Sequence, residues 1–354
     1  VVPTDRGGRA DEPYVGYNLF SPLGETTTYL MDNDGDFVHT WESAYRPGLS
    51  VYLLDNGDLL RTGSVVGSAF PGGGGGGVVQ QFDWDGNLVW EFQYSSSTHL
   101  SHHDIELLPN GNVLMIAWEA KTRTEALAAG RNPALVGPNG LYPDTIIEVQ
   151  PTGVDSGQIV WEWHVWDHLI QDYSASKDNY GVVADHPELI NLNFSDSSNA
   201  DWNHTNAVDY NAELDQILIS VHNFSEIWII DHSTTTAEAA GHTGGNSGMG
   251  GDLLYRWGNP RAYNAGTTSD QQLFIQHDAE WIADGLLGAG NILVFNNGKG
   301  RSDGNYSSVD EITPPVNADG SYSRDPGTAF DPVAPVWQYV ADTPTDFYAD
   351  HISG

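Results

Sequence analysis

Four histidines stand at comparable places along the chain, each at the mouth of an apolar run: His103, His204, His277 and His351. Their settings read SHHDIELLPNGNVLMIAWE, DWNHTNAVDYNAELDQILIS, QHDAEW ahead of GNILVF, and the closing DHISG. A lone histidine on a strand is more often structural than functional. Four at repeated positions point to a cluster, because packing gives no reason to choose an ionisable ring each time. Two chemistries fit. In one, a neutral imidazole serves as nucleophile or base while its neighbours supply protons and positive charge to an anionic transition state. In the other, His103, His204, His277 and His351 hold a divalent metal, with carboxylates fixing the ring tautomers. No local ligand spacing such as His-Glu-x-x-His supports the second. Nearby polar candidates are His102, Asp104, Asn206, His222, Asn223, Asp278 and Arg256. Trp118, Trp166, Trp202 and Trp281 stand close enough in sequence to touch a ligand.

The elements that must position these residues are strands. The histidine stretch turns at Pro109-Asn110-Gly111-Asn112 between two alternating runs, a strong hairpin signal. Leu49 to Gly63 repeats the hairpin without a histidine. A second motif alternates with the hairpins: GDFVHTWE from Gly35, GNLVWEF from Gly86, GQIVWEW from Gly157 and GDLLYRW from Gly251. Each is a glycine turn followed by a strand with a central aromatic, and a short strand precedes most of them. One period therefore holds four antiparallel strands, which is a β-propeller blade. The fold class is all-β, a single propeller domain over residues 1–354. Blades fall near 49–93, 102–164, 203–258 and 276–340. Residues 14–42 form part of a further blade closed by the C-terminus at His351, which makes five countable units. Trp41, Trp90, Trp161 and Trp257 read as blade core, and Thr122 to Ala129 as the one short helix.

Composition narrows the function. There are 48 acidic against 13 basic residues, a net charge of −35, and no cysteine. Such a chain lacks the basic footprint needed for nucleic acid or an anionic membrane, and no run is apolar enough to span a bilayer. The charge suits a surface adapted to high salt, where self-repulsion is screened, with calcium-binding acidic loops as the other reading. Asp32-Asn33-Asp34-Gly35-Asp36 resembles part of a calcium loop but lacks the twelfth-position glutamate, so a plain turn is expected. A chain numbered from Val1 suits a processed, secreted protein. The six glycines Gly72 to Gly77 read as a flexible loop tip, and 165–200 and 232–250 as loops crossing one propeller face.

HHDIELLPNGNVL, DWNHTNAVDYN, ILISVHNFSEIWIID, LLYRWGNPRAY, QHDAEWI and GNILVFNNG together resemble the bacterial arylsulfotransferase family, from about Tyr14 to the end. The resemblance implies a six-bladed propeller that moves sulfate between phenols without a nucleotide sulfate donor, through a transiently sulfated histidine. It puts that role on His277, with His103 and His204 binding the sulfuryl oxygens and protonating the departing phenol. The partner implied is a small phenolic molecule, and no cofactor is required. The family's arginine in the strand after the second histidine motif is Val221 here, which leaves Arg256 or His222 as substitutes. His102, Asn206, His222, Trp202 and Trp281 complete the expected substrate wall. The family tends to continue past Ile-Ser-Gly with another hairpin, so ending at Gly354 implies that a last blade is missing.

Three other readings stay open. One is a propeller polysaccharide lyase acting on acidic glycans, with a histidine base and Tyr255-Arg256 neutralising a carboxylate. The others are a multi-histidine enzyme with a transition metal, and a non-catalytic propeller for binding or assembly.

Overall fold

The computed structural model describes residues 15–195 and 198–352. Four sheets of four antiparallel strands each run from an inner to an outer edge. Blade 1 runs from Arg46–Leu53 to Leu88–Gln93, blade 2 from His99–Leu107 to Ser156–His164, blade 3 from Thr205–Asn211 to Tyr255–Trp257, and blade 4 from His277–Trp281 to Trp337–Tyr339. A three-stranded sheet of Tyr17–Phe20, Thr27–Asp32 and Phe37–Glu42 precedes them. The inner strands of successive sheets pack side by side, and the whole is a β-propeller. Among the described residues the C-terminal segment makes no ladder with the N-terminal sheet, although His351 and Ile352 share a cavity with its Leu19 and Leu23. Tyr14, Ser353 and Gly354 lie outside the described residues.

The motif tryptophans explain how the blades hold together. Trp41, Trp90, Trp161 and Trp257 are buried, and each indole N–H donates to the sheet that follows. Trp41 reaches the carbonyl of Asp83 (3.0 Å), Trp90 that of Ser156 (3.0 Å), Trp161 the hydroxyl of Thr234 (3.1 Å) and Trp257 the carbonyl of Pro332 (2.6 Å). A large aromatic thus fills the blade while its polar edge ties the next blade in. The expected helix forms at Arg123–Ala128 with a Thr122–Glu125 capping box, and Asp32 caps its own hairpin by accepting from the backbone of Asp34 and Asp36. A second, four-residue helix, Thr236–Ala239, lies in the later insertion.

The two long insertions do not share one face. Residues 165–200 leave beside Thr145, at the histidine end of blade 2, and come back to that end at Asp201. The 232–250 segment leaves from Asp231, which pairs with Gln216 at the opposite end of blade 3 from Val221. It climbs the outside of blade 2, packing its helix on Ser156–His164.

Candidate active site

Each inner strand breaks its ladder as it enters the channel. Register shifts lie between Pro47 and Val51, Ser101 and Ile105, Thr205 and Ala207, and His277 and Ala279. Leu49, His103 and Asp278 sit in these breaks and His204 just ahead of its own, all in the left-handed region, with φ of 91, 53, 52 and 55°. Non-glycine residues pay strain for that conformation and are held in it by their surroundings. Such bulges bend a strand and re-aim its side chains. They deliver the histidines, but in different registers: His103 and His277 stand two residues ahead of Ile105 and Ala279, His204 three ahead of Ala207. The repeat is looser in space than in sequence.

The rings form a file. His103 and His204 have centroids 4.5 Å apart, His204 and His222 5.0 Å, and His222 and His277 5.4 Å. No three of their donor nitrogens fall within 4.8 Å of one another, so the described rings do not form one coordination shell. His351 lies at the rim, largely exposed and paired with Asp350.

Each ring has a hydrogen-bond partner, and for His277 and His222 that partner sets the proton. His277 Nδ1 lies 2.7 Å from Asn297 Oδ1, and the Asn297 amide nitrogen donates to the Ala349 carbonyl (2.9 Å), fixing which end of the amide faces the ring. His277 therefore donates from Nδ1 and presents a bare Nε2. Asn223 does the same for His222, accepting at 2.8 Å from Nδ1 while its own nitrogen donates to the carbonyls of Asp201 and Trp202. Asp144 Oδ1 lies 3.3 Å from His102 Nε2, both buried and without a hydrogen-bond partner among the described residues. His102 Nδ1 and His103 Nδ1 share a hydrogen bond across 2.7 Å. Trp118 supports this pair: His102 stacks on it at 3.9 Å, and its indole donates to Asp201 at 3.0 Å.

His204 differs. Burial lowers its pKa, but the 2.5 Å hydrogen bond to Asp201 Oδ2 and the charges of Asp201 and Asp144 outweigh burial and raise it. Burial and the neighbouring histidines hold His103 well below its ordinary value and bring His222 down to about 4. Burial also lowers His277, against the opposing Asn297 bond. The file thus sets one ring whose protonated form is favoured beside rings whose neutral form is favoured, with their pKa values pushed apart.

The six glycines are part of this site and not a free tip. His103 N donates to the Gly74 carbonyl (2.8 Å), Gly76 N to Ser101 O (3.0 Å) and Gly77 N to Ser101 Oγ (3.0 Å). Gly74 has φ +82°, and a Cβ there would fall 2.2 Å from the His103 ring; at Gly72 it would fall 2.7 Å from Trp118. Only bare backbone lies this close to the rings. The loop helps wall two cavities that meet at His204 and His222. The larger, about 660 Å³, is lined by His103, His204, His222 and His277 together with apolar Leu19, Leu49 and Val51. The smaller, about 290 Å³, is polar, with Asp201, Asn199 and Asn223.

Several expected site residues lie elsewhere. Arg256 is fully buried, its guanidinium paired with Glu226, bonded to the carbonyls of Pro187 and Leu189, and stacked 4.5 Å from Tyr263. Its neighbour Tyr255 is buried too, because both belong to an outer strand whose aromatic pattern serves the core. Val221, at the position of the family arginine, is packed in the main core. Trp202 is buried against Phe224 and Arg131. Trp281 lies at the far end of its strand from His277, about 13 Å along it. His102 stands behind His103, and among the described residues no tryptophan, lysine or arginine lines either cavity. Asn206 and His222 do line the larger one. The sequence does not single out the ring partners Asp201 and Asn297, nor Asp144 beside His102. Asp201 carried a signal, standing three residues ahead of His204; Asp144 carried none.

A propeller whose channel mouth holds a file of hydrogen-bonded histidines, one with its pKa raised and the others with theirs lowered, is a scaffold for acid–base and nucleophilic chemistry. The family model described as Arylsulfotransferase (ASST) matches residues 17–354. The chain belongs to the arylsulfotransferase family. No curated protein matches it. Solved structures similar to it include hydrazine synthase from Kuenenia stuttgartiensis, at 12% identity and a TM-score of 0.46 over 84% of this chain and 68% of that one. A protein of unknown function from Bacteroides caccae matches at 12% and 0.43 over 88% and 72%, and a luciferin-regenerating enzyme at 8% and 0.39 over 94% and 78%.

Proposed function

We propose that the protein transfers a sulfuryl group from an aryl sulfate to a phenol, with no nucleotide sulfate donor, through a sulfo-histidine on His277. The bare Nε2 of His277, held by the Asn297 bond, is the observation that carries this reading within the family. In the first half-reaction Nε2 attacks sulfur, the bond from sulfur to the aryl oxygen breaks, and the His204 imidazolium protonates the departing phenolate. In the second half, the acceptor phenol gives its proton to neutral His204 and its oxygen attacks sulfur. The N–S bond breaks and His277 is restored. His204 also supplies the positive charge that the absent arginine would give the sulfuryl oxygens. The apolar residues Leu19, Leu49 and Val51 offer a wall for the aromatic ring. The acidic composition fits a secreted protein of a salty environment.

The test is a rapid-mixing assay with a nitrophenyl sulfate and no acceptor. One equivalent of nitrophenol should appear in a burst, with one SO₃ unit gained on the His277 peptide, and His277→Ala should abolish both. Folded wild-type protein that shows neither burst nor turnover would refute the reading and leave a non-catalytic role. The lyase alternative loses its motive, because Tyr255 and Arg256 face the core.

A further inference from the structure

Away from the channel, the two long insertions meet at His168, His242 and Asp252. The Nδ1 atoms of both histidines lie 2.8 Å from the same carboxylate oxygen, Asp252 Oδ1. Among the described residues this is the one group of three histidine or acidic side chains whose donor atoms all lie within 4.8 Å. The two rings are 87° apart in plane, so they approach the oxygen from different directions.

The second nitrogen of His168 indicates what the group is for. Nε2 donates to the Ala239 carbonyl at 2.8 Å, in a ring with no solvent exposure, stacked on Trp163. With its proton fixed on Nε2, a neutral His168 aims the lone pair of Nδ1 at a carboxylate oxygen, which also carries lone pairs. That contact requires something positive between them, either a second proton or a metal ion. A backbone carbonyl behind the remote nitrogen is the usual outer partner of a metal-bound histidine. Close packing of the loop enforces this one: a Cβ on Gly251 would fall 2.0 Å from Ala239 O and 2.7 Å from His168 Nε2. His242, by contrast, is mostly exposed, so one side of the group is open to water.

We infer that His168, His242 and Asp252 bind a divalent transition ion of the zinc class, with water as a further ligand. Two imidazoles and a carboxylate suit that class better than calcium or magnesium, which prefer all-oxygen shells. Tetrahedral ligands about 2.1 Å from zinc stand about 3.4 Å apart, so binding opens the present contacts by about half an ångström. His242, on a loop with glycines at 241, 244 and 245, has room for that movement. The role is structural. The ion staples the insertion that delivers Asp201 to the one that climbs over blade 2, where Leu253 N already bonds the Glu188 carbonyl (3.0 Å).

The test is titration of chelator-stripped, dialysed protein with Co²⁺ and then Zn²⁺. One Co²⁺ per chain should bind with visible d–d absorption, one Zn²⁺ should displace it, and Zn²⁺ should raise Tm. His242→Ala should weaken binding at least about tenfold while leaving the Tm of the stripped protein unchanged, since the side chain is exposed. His277→Ala should bind as wild type does. Failure of the wild type to bind would overturn the inference and leave a hydrogen-bonded triad. Wild-type affinity in both His242→Ala and Asp252→Asn would also overturn it, by placing the metal elsewhere.

Discussion

Nδ1 of His277 and Oδ1 of Asn297 stand 2.7 Å apart, and Asn297 is in turn anchored to the Ala349 carbonyl. This bond decides which nitrogen faces the cavity. Asn297→Leu should slow the nitrophenol burst by on the order of 10²-fold, as expected when a nucleophile loses its orientation. Asn297→Asp should keep the orientation but raise the His277 pKa, moving the acid limb of the burst rate to higher pH. A burst rate unchanged in both variants would separate Asn297 from the chemistry.

The pH profile of the first half-reaction should be bell-shaped. It needs His277 neutral, and burial lowers that pKa, so the acid limb falls below the ordinary histidine range. It also needs His204 protonated, and Asp201 raises that pKa against burial, so the alkaline limb falls above it. Asp201→Asn should draw the alkaline limb down and narrow the bell. An alkaline limb that stays in place would assign the acid to another group.

Arg256 and Glu226 are a buried pair, and removing one partner leaves an uncompensated charge. Arg256→Met should cost about 3–5 kcal/mol of stability by denaturant titration. The double variant Arg256→Met/Glu226→Leu should recover much of that loss. The burst rate per folded molecule should be unaffected in either, whereas a catalytic arginine would lower it.

Gly74→Ala places a methyl group on the His103 ring at a backbone angle that suits only glycine. Loss of transfer activity with a small change in Tm is expected. Gly75→Ala, whose added carbon meets only Leu100 at 3.6 Å and which lines neither cavity, serves as the control.

Five inner-strand carboxylates make stability fall with rising pH. Burial pushes Asp104 and Asp209 up to about 6, Glu280 to about 7 and Glu106 to about 8, and raises Asp278. Groups raised in the folded state contribute stability that is fully present below the ordinary carboxylate range and lost as pH climbs through these values. Between about pH 5 and pH 8 the Tm should drop, and Glu106→Gln should lessen the drop. A Tm that rises across this range would refute the account.

Much of the scaffold was legible because strand alternation, Asn-Gly turns and the glycine–tryptophan repeat are local signals. The histidines at the mouth were legible for the same reason. Their partners were not. Asp144 and Asn297 meet the rings only after the chain closes around the channel, and nothing in their neighbours marks them. Arg256 misled for the opposite reason: a lone cation near the motifs looks available until Glu226 is seen beside it. The glycine tract also misled, since a run without side chains reads as slack whether it is loose or pressed against a ring.

The indole bonds described for the blades all point forward along the chain, from Trp41 to Asp83 and on to Trp257 and Pro332. They give the molecule a polarity that its near-symmetry conceals. Other seam bonds run backward, from Arg61 to the Thr26 carbonyl, Val208 N to Asp104 and Trp281 N to Asp209, so the tryptophans are the forward half of a two-way fastening. Damage at Trp90 would open the forward half of the seam between blades 1 and 2, where its indole meets the Ser156 carbonyl, and leave the bond from Arg61 to the N-terminal sheet in place.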